Sequence, residues 1–81
     1  MKQEEFKKLI KILKKRDDIY VLTSGVGDRI MSVFISDWKT TENKKTMSAD
    51  DNGSYLINGE VFLDHDITAK EFMKEFDKCS Y

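Results

Sequence analysis

The chain has no proline, one cysteine, one histidine and four glycines in 81 residues. Without proline it has no rigid spacer and no Pro-rich ligand segment. The lone Cys79 excludes an internal disulfide framework and fits a reducing compartment. The lone His65 excludes the histidine-rich ligand sets of catalytic metals, and any Ser/His/Asp constellation would have to use that one ring. No apolar run approaches the ~18 residues that read as a membrane span. The opening M-K-Q-E-E-F-K-K-L-I mixes charge with apolar residues where a signal peptide would carry an apolar core. These absences lead to the expectation of a soluble, cytoplasmic protein that is no enzyme, holds no metal and uses no cofactor.

With 40% apolar and 36% charged residues, the chain can build one modest core, and a single domain over residues 1–81 is expected. The net charge is −1, unevenly placed. Residues 1–41 carry nine Lys/Arg against six Asp/Glu, and residues 42–81 carry five against nine. The first half is therefore basic and the second acidic.

Phe6, Leu9, Ile10 and Leu13 recur at helical spacing, opposite Lys7, Lys8, Lys11, Lys14 and Lys15, and predict an amphipathic helix over 3–16. Asp17-Asp18 ends it. I-Y-V-L-T-S (19–24) and R-I-M-S-V-F-I-S-D (29–37) read as two strands of a hairpin. The polar run after Trp38 is either a loop or a second hairpin turning at Glu42-Asn43. A strand-like segment runs from Tyr55 to Leu63, and Asn58-Gly59 inside it is either a hairpin turn or a bulge. Thr68-Ala69-Lys70-Glu71 matches a capping box and opens a final helix whose stripe is Phe72, Met73, Phe76 and Cys79. The predicted fold is α+β: a helix, three or four antiparallel strands and a helix, with both helices on one face of the sheet.

S-A-D-D-N-G-S-Y-L-I-N-G-E (48–60) imitates a calcium loop. With Gly53 in the sixth place, however, Ser48 occupies the first position and Gly59 the twelfth, so two strong carboxylate ligands are missing. Asp-Asn-Gly is ordinary turn chemistry. Asp64-His65-Asp66 resembles an acid–base or ligand pair, yet negative charge just before a helix is favoured by the helix dipole alone. Cys79 continues an apolar stripe near a helix C-terminus, where the dipole does not favour a thiolate. Gly25-Val26-Gly27 lacks the third glycine and the following helix of a phosphate loop.

Strand alternation is more informative. Met31, Val33 and Ile35 share one side of their strand, and Ile30, Ser32, Phe34 and Ser36 share the other. If the helices cover the first side, Ile30 and Phe34 lie on an open face with Tyr20-Leu22 and Phe62, and Trp38 follows at the strand end. That face is either a partner or homodimer surface, or it is covered by a further strand or long loop.

Leu22-Thr23-Ser24-Gly25 followed by a strand, and Thr68-Ala69-Lys70-Glu71 opening the last helix, resemble the double-stranded-RNA-binding domain in order of elements. That resemblance implies a duplex-binding module. In the last helix, however, only Lys70 and Lys74 stand where that family has its lysine block, and the approach is the acidic Asp64-His65-Asp66. In size, lysine-rich opening helix, short sheet and acidic second half, the chain is also similar to small phage-encoded inhibitors of host or defence proteins, including some anti-CRISPR proteins. This second resemblance implies a protein partner met by aromatic residues and loop carboxylates. The expected contact residues are Ile30, Phe34, Trp38, Asp50, Asp51, Asp64 and Asp66. The alternative is a nucleic-acid partner on the lysine face of the first helix. No membrane role is expected.

Overall fold

The computed structural model of the protein describes residues 1–37 and 45–79. Its elements run α1 (Gln3–Lys14), β1 (Tyr20–Val26), β2 (Arg29–Ser36), β3 (Thr46–Asp50), β4 (Ser54–Ile57), β5 (Glu60–Leu63) and α2 (Ala69–Lys78). The strands form one antiparallel sheet in sequence order, β1 to β5. The α+β class agrees with the sequence reading, but the described residues form five strands rather than three or four. One additional strand comes from Asn58-Gly59, which is a true hairpin turn: φ is 49° at Asn58 and 87° at Gly59. Two successive positive φ values give the turn whose twist matches that of the flanking strands. Trp38 and the proposed turn at Glu42-Asn43 lie outside the described residues.

Both helices pack on one face. Phe6, Leu9 and Leu13 from α1 and Phe72, Met73 and Phe76 from α2 close over Val33, Ile35, Met47 and Ala49 of the inner strands β2 and β3. Each such buried aliphatic or aromatic side chain contributes roughly 1.5–3 kcal/mol relative to exposure. On the same face Tyr55 stacks on Phe62, with ring centroids 5.3 Å apart, which anchors β5 to β4.

The helix ends are held by side chains. Thr68 Oγ1 accepts from the amide of Glu71 at 3.1 Å, the N-cap half of the capping box, while Glu5 of α1 accepts from the amide of Ala69 at 2.9 Å. At the other end Arg16 bridges Asp18 and Asp77, at 2.8 and 3.0 Å. The two acids hold the guanidinium pKa above its ordinary value, and Arg16 holds that of Asp18 below its own.

One register shift changes which face a residue occupies. Ser24 pairs with Ser32 but Gly25 pairs with Ile30, so Met31 is an inserted residue in β2. The carbonyl of Arg29 approaches Gly25 so closely that no Cβ fits there. Beyond the insertion the alternation reverses: Ile30 turns to the helix side and packs against the core, while Met31 is left exposed.

Candidate interaction face

The face away from the helices is built by the even-numbered residues of β1, of β2 from Ser32 to Ser36, of β3 and of β4, by Val61 and Leu63 of β5, and at its rim by Arg29. Pairing places five of them in one line across the sheet. Leu22 pairs with Phe34, Phe34 with Ser48, Ser48 with Leu56, and Leu56 with Val61. Cross-strand neighbours of this kind stand in side-chain contact range. Leu22 is 52% exposed, Val61 60% and the adjoining Leu63 82%, while Phe34 and Leu56 are half-buried.

Small hydroxyl residues flank the line. On one side Ser24 and Ser32 share a 2.7 Å hydrogen bond, and Ser32 pairs in turn with Asp50. On the other side Tyr20, Ser36 and Thr46 form the next row. Ser36 is fully buried, so the exposed patch is bounded at that end. The stripe and its flanking rows contain no lysine or arginine among the described residues, and Arg29, paired with Val26 at the rim, is held by Asp51. The face is an apolar stripe in a serine-rich surround, able to exclude water from a partner surface.

The expected contact residues separate in the structure. Phe34 occupies the middle of the stripe. Ile30 does not belong to it, because the Met31 insertion turns it inward. Phe62, expected on the open face, lies on the helix side of the sheet, stacked on Tyr55, and Val61 and Leu63 take its place. Leu56, Val61 and Leu63 went unrecognised in the sequence, although their alternation becomes visible once Asn58-Gly59 is taken as a turn. Trp38 falls outside the described residues.

The four acids of the turns are brought to one end of the molecule. There the amide of Asp64 bonds the carbonyl of Gly53 at 2.9 Å, and the His65 ring lies over Gly53. Each acid already has a partner within the fold. Asp50 accepts from the Ser54 hydroxyl at 3.1 Å and from the Asn52 amide at 3.3 Å. Asp51 receives Nε and Nη2 of Arg29 on one oxygen, at 3.0 and 2.7 Å. Asp64 accepts from the Asp66 amide at 3.0 Å, and Asp66 lies 3.3 Å from Lys2 Nζ. The calcium-like stretch is thus the β3–β4 turn followed by β4 and its hairpin. Among the described residues no group of three or more His, Cys, Asp or Glu is placed to hold a metal ion. No helix among them is long and apolar enough to cross a membrane.

The chain was compared with protein-family models, with curated proteins and with solved structures, and it matches none of them.

Proposed function

We propose that this protein acts by binding another protein through its open sheet face, as a small non-catalytic inhibitor or adaptor of the kind that phages direct at host or defence proteins. The observation that carries this reading is the apolar line Leu22–Phe34–Leu56–Val61, which neither helix covers because both sit on the opposite face. The size is adequate. The molecule measures 34 × 25 × 19 Å along its principal axes, and its broad side is comparable to the roughly 800 Å² that each partner contributes to a standard interface. A central half-buried aromatic ringed by small polar residues also has the layout of a binding hot spot.

The test compares wild type with Phe34→Ala as immobilised bait for the host proteome, followed by affinity measurement on the captured partner. Loss of Phe34 is expected to weaken the complex by about 2 kcal/mol or more, roughly thirtyfold. Unchanged affinity would overturn the open face as the contact. A second reading, nucleic-acid binding, is favoured by one observation: Lys7, Lys11 and Lys14 make no ion pair among the described residues. A shift of duplex RNA that weakens steeply with salt, together with no protein captured, would replace the first reading with this one.

A further inference from the structure

Among the described residues the sheet ends in two edge strands, β1 and β5, and they are unlike. β5 is four residues long and begins with the charged Glu60, which makes it a short, blunted edge. β1 is seven residues long, Y-V-L-T-S-G-V, with no charge and no proline, and six of its residues are exposed. Among the strands of the described residues it pairs with β2 alone. Its regular part ends at Ser24, where the register shifts, so the flat template is its first half.

Beside that half, on the helix side, the helices stop short of the sheet edge. They leave an apolar groove of about 230 Å³ lined by Ile10, Leu13, Lys14, Val21 and Thr23. A cavity of about 150 Å³ is enough to take benzene, so this groove has room for a leucine or phenylalanine side chain. The lysine stem contributes apolar wall while its ammonium stays in water. Lys7 and Lys11 precede Lys14 at i−7 and i−3, on the same side of α1. None of the three makes an ion pair among the described residues.

From these features we infer that β1 accepts an extended segment of a partner protein as a sixth strand. One apolar side chain of that segment enters the groove, and carboxylates two residues to either side meet the lysines of α1. Backbone pairing supplies affinity and the groove selects the side chain, the mode by which a sheet edge beside a helix recognises a peptide. Charge decides the occupant. A second copy paired β1 to β1 about a twofold axis would bring two lysine rows together, and like charges in register oppose the pairing. An acidic segment turns the same row into an attraction. This surface is separate from the open face and does not require it.

The experiment titrates the isotope-labelled full chain, followed by amide resonances, with two blocked seven-residue peptides, Thr-Glu-Thr-Leu-Thr-Glu-Thr and its counterpart with lysine for glutamate. The acidic peptide is expected to shift the amides of Val21 to Ser24 and of Ile10, and to bind at least tenfold more tightly than the basic one. Lys14→Glu, on an exposed helix surface, should narrow or invert that preference while circular dichroism stays unchanged. Methylating the peptide nitrogens that face β1 should abolish binding, which simple charge attraction would not require. Phe34→Ala should leave peptide binding intact, separating this result from the fate of the open face. Equal binding of the two peptides, absence of shifts in β1, or binding that survives methylation would each overturn the inference. So would a dimer in sedimentation whose β1 amides are protected without any peptide, because the edge would then belong to a second copy.

Discussion

At Gly53 two constraints act on one residue. Its φ is 99°, a region costly for any residue with a Cβ, and the position a Cβ would take is filled by the His65 imidazole. The contact also ties the β3–β4 turn to the entry of α2, since Asp64 donates to the Gly53 carbonyl in the same place. Gly53→Ala should therefore destabilise the fold by about 2–3 kcal/mol, the sum of backbone strain and a displaced ring. Urea unfolding of a double-mutant cycle separates the two. In a His65→Ala background the same glycine substitution should cost only about 1 kcal/mol, the backbone part alone. Equal cost in both backgrounds would mean that the ring moves aside freely. The neighbouring acids show the limit of reading charge from sequence. Asp51 looks like a free loop carboxylate until the fold brings Arg29, distant in the chain, onto its oxygen, and Asp50 looks the same until Ser54 bonds it.

Between elements, Glu5 is the clearest link. From α1 it accepts the amide at the start of α2 and also pairs with Lys8, at 3.1 Å. The Ala69 amide, more than Lys8, holds its carboxyl below the usual glutamate range. A folded pKa below the unfolded one means that the ionised form favours the fold. That contribution is fully present above the unfolded value and disappears as pH falls through the lower, folded value. Wild type should thus lose stability as pH drops from about 5 to below 4. Glu5→Gln should already be less stable at pH 7 and should show a shallower decline across that window. Urea midpoints at pH 7 and pH 3.5 provide the check. Asp18, held low by Arg16, keeps part of the acid slope in the variant.

The helices were legible from helical spacing, with Thr68 marking the start of α2, whereas Asn58-Gly59 read equally as a turn or a bulge and β3 lay in a polar stretch that read as either loop or hairpin. The insertion at Met31 was not legible. An inserted residue in a strand reverses every alternation beyond it, and Ile30 and Met31 are both apolar, so period-2 reading has no way to choose between them. The trace it left is Gly25, required by the close approach of Arg29 but indistinguishable in sequence from a turn glycine.

The molecule as a whole has one apolar layer filled and another left open. Phe6, Phe72, Val33 and Ile35 have no exposure at all, whereas Leu22, Val61 and Leu63 are more than half exposed on the opposite side of the same sheet. A side chain already in water has little burial to lose, so its replacement should scarcely change the folding equilibrium. Val61→Lys with Leu63→Lys is therefore expected to change stability by less than about 1 kcal/mol in total, at most about 8 °C in Tm. The same pair should lower self-association at high concentration, because it places two charges on an apolar patch and on the sheet edge that carries it. Scanning calorimetry reads the first effect and sedimentation velocity the second. A Tm that collapses would show that the open face is part of what holds the fold together. A Tm that holds while association falls is what a surface kept for a partner predicts, since its apolar area then adds nothing to the stability of the isolated chain.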